Sequence, residues 1–206
     1  MTAQVQVARA LIARKRPQAG PLELWITELG VQSGGPGDTS LDNKADTPAA
    51  AAHLLASLTA LEAAGLDKLF VFELRDGPPT GATFWGRFGI LSYDLHPKPI
   101  YHALAALAAL GPDWLPATVQ PARPDVGVLA APAGAAILWH TGSTALRVRV
   151  QLPAGGPGSV QATLFDADHN NPAAGKGGDV PVPLGRRAPA DLVFDLLPDS
   201  LVVLQP

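Results

Sequence analysis

The stretch Leu22-Glu23-Leu24-Trp25-Ile26-Thr27-Glu28-Leu29-Gly30 is an apolar run that ends in a carboxylate and a glycine. Short runs that are apolar at nearly every position are typical of strands in the parallel sheets of α/β proteins, which are covered on both faces. We therefore predict a buried strand here. Glu28 would stand at its carboxyl end, where α/β enzymes place their chemistry, and Gly30 would let the backbone turn away. Glu28 is thus the first candidate for a catalytic residue.

A second run of the same kind occupies residues 68–74, and a charged pair at 75–76 stands at its exit. Helical patterns precede, separate and follow the two runs. The helix between them has signals at both ends, since Asp46 or its neighbour can cap it, Pro48 suits its first turn and Gly65 stops it. The order helix, strand, helix, strand, helix predicts an α/β unit with a parallel sheet.

From about residue 117 onward the pattern changes to short apolar runs separated by Gly, Pro, Asn and Asp. The run at 146–150 alternates strictly between apolar and charged residues, as a half-buried antiparallel strand does. We predict a small antiparallel β-sandwich of six or seven strands. A proline-rich stretch marks the boundary, which divides the chain into residues 1–115 and 116–206. The runs lie at 126–129, 136–139, 146–150, 160–165, 192–194 and 201–204.

Composition excludes several classes of function. Of the 206 residues, 47% are hydrophobic and 16% are charged, so the chain has enough apolar residues for a core. The formal net charge of −3 carries no signature of nucleic-acid binding, and the absence of cysteine excludes disulfides and thiolate metal sites. We expect no metal, no cofactor, no nucleic-acid partner and no membrane span. The compartment is undetermined, and secretion would need a signal peptide encoded upstream.

Three motifs carry a resemblance to a known family. The ending Thr27-Glu28-Leu29-Gly30 resembles the seventh strand of the clan A glycoside hydrolases, the retaining (β/α)8-barrel enzymes. Residues 71–76, VFELRD, resemble the eighth strand of bacterial enzymes close to families 5 and 39. Residues 88–94, FGILSYD, followed by PKPIYHAL at 97–104, resemble the hairpin and last helix of the same family. The closing residues 197–204, LPDSLVVL, resemble its accessory β-sandwich.

The resemblance implies a fold and an activity. The chain would be the C-terminal part of a (β/α)8 barrel, with its last two strands and about three helices, followed by the sandwich. Its carbohydrate substrate would be a β-linked glycoside or polysaccharide, and Glu28 would be the nucleophile. A retaining glycosidase also needs a second carboxyl about 5–5.5 Å from the first. The family supplies that general acid/base in an Asn-Glu pair on strand four, and this sequence contains no Asn-Glu dipeptide.

Further candidates follow the second strand. Glu73 and Asp76 could line a sugar site, or one of them could pair with Arg75 for structure alone, and the sequence leaves both readings open. Strand alternation predicts Glu73 and Arg75 on one side and Leu74 and Asp76 on the other. The aromatic side chains of Phe72 and Trp85 could stack on a sugar ring.

Two functions from different classes remain. The first is a glycoside hydrolase of which this chain is the C-terminal part. The second is a non-catalytic carbohydrate-binding or structural module, with the sandwich making the contacts. Parallel strands with unpaired edges also predict self-association.

Overall fold

The computed structural model of the chain describes residues 1–18, 20–31, 46–77, 88–112, 114, 117–152, 158–176, 179–188 and 192–206. In the first half, helices and strands alternate in the predicted order. The elements are α1 (Thr2–Lys15), β1 (Trp25–Leu29), α2 (Pro48–Ala63), β2 (Lys68–Val71) and α3 (Pro99–Leu110). Strands β1 and β2 pair in parallel, as a helical crossover between two strands of one sheet requires.

Proline and glycine set the ends of the two central helices. Both α2 and α3 begin on a proline, Pro48 and Pro99, whose missing N–H would be unpaired there in any case. Gly65 follows α2 with φ +94°, and Gly111 follows α3 with φ +76°. Positive φ values are readily adopted only by glycine, so both residues end their helices, and Gly65 does so where the sequence predicted.

The second half is antiparallel β-structure, as predicted. The strands are β3 (Val126–Ala130), β4 (Ala136–His140), β5 (Leu146–Arg149), β6 (Val160–Phe165), β7 (Gly185–Arg187), β8 (Val193–Leu196) and β9 (Ser200–Gln205). Strands β3, β4, β9, β6 and β7 form one sheet in that order, and β5 pairs with β8 in a second sheet. The short strand β7 was not foreseen from the sequence, because all three of its residues are exposed and it carries no apolar run.

The five-stranded sheet is covered on both faces. In β4, Ala136 and Leu138 pack toward the β5–β8 sheet, whereas Ile137 and Trp139 pack toward helices α2 and α3. Strand β9 divides its side chains in the same way. This explains why these strands are apolar at nearly every position, although they belong to an antiparallel sheet.

One core therefore contains residues from both halves of the chain. Ala51 and Leu55 of α2 and Ile100 of α3 lie in the same buried cluster as Phe165 and Leu201 of the five-stranded sheet. The division at 115/116 remains a sequence-based prediction. The helices and the sheet are nevertheless joined by a shared apolar interface.

The predicted burial of β1 on both faces is wrong. Trp25 is 47% exposed and Phe70 of β2 is 49% exposed, and no residue of either strand is fully buried. Each strand has one parallel partner among the described residues, so part of the apolar surface that its sequence provides stays uncovered. The apolar run correctly predicted a parallel strand but not its environment in this chain.

Candidate active site

The site lies at the carboxyl ends of the two parallel strands. Glu28 stands at the end of β1 and is exposed. Gly30 follows it, and a Cβ there would lie 2.9 Å from Phe88 Cδ1 and 3.2 Å from the carbonyl oxygen of Phe72. Gly30 is therefore needed for close approach of the neighbouring segments. The rings of Phe72 and Phe88 are in contact, with centroids 5.8 Å apart.

The segment after β2 is held by a neighbouring chain segment that runs alongside it. Glu73 N–H donates to the carbonyl of Phe88 (3.1 Å), and Ile90 N–H donates to the carbonyl of Glu73 (2.9 Å). Leu91 continues the contact through a parallel bridge to Arg75. Residues 88–91 thus fix the backbone on which the Glu73 side chain stands.

Three charged side chains form a network beside this segment, and two of them, Lys98 and Asp76, are buried. Lys98 Nζ lies 2.7 Å from Asp76 Oδ1 and 2.6 Å from Asp46 Oδ1. The same Asp76 oxygen accepts a hydrogen bond from Gly89 N–H at 2.9 Å. Asp76 is 6% exposed and Lys98 is 4% exposed. Charged groups are buried to this extent almost only when they are paired.

Burial and neighbouring charge both act on Glu73. Its Oε1 atom is buried and has no hydrogen-bond partner among the described residues. Burial raises the pKa of Glu73, and the charges of Asp76 and Glu28 raise it further, whereas Lys98 opposes them. Burial also raises the pKa of Asp76 against the hydrogen bond from Lys98. Carboxyl groups shifted in this direction by burial and like charge are frequent in functional sites.

Strand alternation does not hold beyond β2, and this prediction is wrong. Asp76 is buried and its charge acts on Glu73, whereas Leu74 and Arg75 are exposed. The regular strand ends at Val71, so the two-residue period no longer decides which way the side chains point. Arg75 lies over the ring of Tyr93, with its guanidinium carbon 5.2 Å from the centroid, and Asp76 pairs with Lys98.

Four of the five predicted site residues lie at one end of the parallel pair: Glu28, Phe72, Glu73 and Asp76. The fifth, Trp85, lies outside the described residues. Sequence reasoning missed Lys98 and the part played by Asp46. A signal for Lys98 existed, because a lysine between two prolines stands in the motif that precedes α3.

Two further findings concern other classes of site. Among the described residues, no group of three or more His, Asp or Glu side chains is placed to hold a metal ion. Within the same ranges no helix has the length and apolar character needed to cross a bilayer.

The fold is similar to those of solved glycoside hydrolases, among them the following three. The GH39 enzyme from Xanthomonas axonopodis pv. citri matches 99% of this chain with a TM-score of 0.68 at 20% identity. A monomeric β-xylosidase from Caulobacter crescentus CB15 matches 99% with a TM-score of 0.69 at 19% identity. A GH30 endoxylanase from Clostridium papyrosolvens C71 matches 95% with a TM-score of 0.56 at 16% identity.

The chain spans about half the length of these proteins, namely 48%, 49% and 44% of the respective chains. At identities this low the likeness concerns the fold. No protein-family model matches the chain, and no curated protein matches it.

Proposed function

We propose that this chain is the C-terminal part of a retaining glycoside hydrolase that acts on β-linked glycosides. The observation that carries the proposal is the position of Glu28, at the carboxyl end of a parallel strand and within electrostatic reach of Glu73. The fold that it shares with GH39 and GH30 enzymes supports the same reaction class.

Glu28 would be the nucleophile. Its exposed carboxylate is accessible to a substrate at the strand end, and an ionised carboxylate can attack the anomeric carbon to form a glycosyl ester. That step breaks the bond to the leaving-group oxygen, which takes a proton from an acid. The resulting ester is then hydrolysed by water.

Glu73, Asp76, Phe72 and Trp85 would bind the sugar. Glu73 would accept a hydrogen bond from a sugar hydroxyl, and the proposal is supported by its Oε1 atom, which has no hydrogen-bond partner among the described residues. Phe72 offers an apolar surface beside it. Because the names of the matched proteins include a β-xylosidase and an endoxylanase, β-xylosides are the first substrates to test.

The second carboxyl would come from the other half of the barrel. A (β/α)8 barrel takes about 250 residues, and the described part of this chain contributes two parallel strands. The exposed face of β1 and β2 is where further strands would pack. The same face would support self-association when it is uncovered.

The alternative, a carbohydrate-binding sandwich, has weaker support. Trp139, the tryptophan of the predicted sandwich, is buried against helices α2 and α3. A buried indole is not available as a stacking surface for a sugar.

The test is Glu28→Ala in the complete gene product, assayed on aryl β-xylosides and other aryl β-glycosides. We expect turnover to be abolished while the circular dichroism spectrum is unchanged. Added azide should restore turnover and give a glycosyl azide of inverted configuration, because the small anion replaces the lost carboxylate in a single displacement. Glu62→Ala, which removes an exposed glutamate on α2, is the matched control. Full activity in Glu28→Ala would overturn the assignment.

A further inference from the structure

Lys98 is an unusual residue for its position. Lysine is almost never fully buried unless it is paired. Lys98 is buried, at the start of α3, and it is paired. Its ammonium group sits between the carboxylates of Asp46 and Asp76. Glu73 and Glu28 also belong to this cluster of charges. The cluster thus has four carboxyl groups, and among the described groups that affect the pKa of Glu73 or Asp76, Lys98 carries the one ammonium group.

The contacts of Lys98 connect three parts of the chain. Asp46 precedes α2, Asp76 follows β2, and Lys98 itself precedes α3. Its backbone N–H also donates to the carbonyl of Ile90 at 3.1 Å. Lys98 therefore contacts residues 88–91 by its main chain and holds the carboxylate of Asp76, to which Gly89 N–H donates, by its side chain.

A continuous path of contacts leads from Lys98 to Glu73. Asp76 Oδ1 accepts from both Lys98 and Gly89. The residues on either side of Gly89 hold the backbone of Glu73 through two hydrogen bonds. A displacement of Asp76 would release the Gly89 turn and with it the segment that holds Glu73, whose Oε1 atom is buried.

We propose that Lys98 is a positioning residue that acts through Asp76 and the Gly89 turn to hold the half-buried Glu73 carboxyl in place beside Glu28. The interpretation of Glu73 as part of a sugar site rests on the proposed function. The position of its carboxyl group is independent of that function and can be measured without an activity assay.

A role as a mere neighbouring charge makes the opposite prediction. Burial, the largest influence, raises the pKa of Glu73, whereas the positive charge of Lys98 lowers it. If Lys98 positions the segment, its removal exposes Glu73 and the pKa falls toward the ordinary value. If Lys98 acts only as a charge, Glu73 stays buried and its pKa rises.

The experiment is carbon-13 NMR of the full 206-residue chain labelled on the glutamate side-chain carboxyl carbons. The chain has four glutamates, Glu23, Glu28, Glu62 and Glu73, so each signal can be assigned with a single Glu→Gln variant. In Lys98→Met we expect the pKa of Glu73 to fall while the signals of Glu23 and Glu62 do not move. A rise, or no change, would overturn the proposal.

A second variant covers the case in which Lys98→Met fails to fold, which circular dichroism would reveal. Lys98→Arg keeps the charge but carries it on a longer, planar head. A positioning role predicts a smaller fall in the pKa of Glu73, and a charge-only role predicts none. Lys176→Met is the matched control, because Lys176 forms an exposed pair with Asp168 in the β-half of the chain. Activity measured with Glu28→Ala fails or succeeds independently of these titrations, so the two proposals can be separated.

Discussion

Two glutamates of this chain show how position decides what a carboxyl group does. Glu23 is exposed, and the hydrogen bonds from Lys68 and Trp25 lower its pKa. Burial and two neighbouring carboxylates raise the pKa of Glu73. The first arrangement stabilises the ionised form at neutral pH, whereas the second destabilises it. Under the proposed function, Glu73 is kept in the second arrangement because it binds the sugar.

Glu73→Gln should therefore stabilise the protein at neutral pH. An acid whose pKa is raised in the folded state contributes full stability below its unfolded pKa of about 4.5, and loses it as the pH rises through the folded pKa. Glutamine removes this loss, so the melting temperature should rise at pH 7 and should be unchanged below pH 4. Thermal unfolding by differential scanning calorimetry at both pH values measures the difference.

Glu23→Gln is the matched control, with the opposite sign. Its pKa is lowered in the folded state, so the stability that it contributes is present above the unfolded pKa and is lost as the pH falls through the folded pKa. The variant should be slightly less stable than the parent at pH 7. If both variants shifted the melting temperature in the same direction, the raised pKa of Glu73 would not be the cause.

The candidate site was predictable where chemistry follows strand ends, and not where it depends on tertiary contacts. Glu28 stands at the end of an apolar run, and that pattern alone selects it. The burial of Asp76 depends on a lysine 22 residues away, which no local pattern shows. A lysine in a sequence is by default an exposed residue, so Lys98 was passed over.

At the scale of elements, the segment at residues 88–91 connects the chain segments that carry the candidate site residues. It lies between the segment after β2, through the Arg75–Leu91 bridge, and the residues before α3, through the Leu91–Pro97 bridge. Gly89 is the point of closest approach. A Cβ on Gly89 would lie closer than 3.0 Å to backbone atoms of Arg75, Asp76 and Leu91.

Gly89→Ala should destabilise the protein by about 1–3 kcal/mol or more, because backbone on both sides must move to admit one methyl group. Urea unfolding measures the change in the free energy of unfolding. Gly158→Ala is the control, since a Cβ there meets no atom within 4 Å among the described residues, and it should be neutral or slightly stabilising. An equal loss of unfolding free energy in the two variants would show that the close approach of the backbone at Gly89 is not the cause.

The elements themselves were largely predictable, and their environments were not. Pro48 and Gly65 mark the ends of α2 in the sequence, and the structure has them there. Hydrophobic pattern shows that a strand is apolar on both faces but not what covers each face. The runs at 136–139 and 201–204 are covered by helices on one side and by the β5–β8 sheet on the other. Strand β1, which the sequence also predicted to be buried, stays half exposed.

At the scale of the whole molecule, the five-stranded sheet and the parallel pair differ in how far they are covered. The five-stranded sheet is buried between helices and a second sheet. The parallel pair β1–β2 instead leaves Trp25 and Phe70 exposed and in contact with each other, with ring centroids 6.0 Å apart. Exposed aromatic side chains on a short parallel sheet form a surface of the kind through which chains associate.

The chain alone should therefore self-associate through this face, and the double variant Trp25→Thr/Phe70→Thr should associate less. Threonine keeps the β-propensity of both positions while it removes the aromatic surface. Sedimentation velocity over a range of concentrations measures the effect. Val180→Thr/Val182→Thr is the control, because these residues are 79% and 67% exposed in the β-half of the chain. If association depended on exposed apolar area in general, the control would reduce it at least as much. A reduction confined to the Trp25/Phe70 variant would locate the open side of the molecule at the parallel strands, where the proposal places the missing part of the barrel.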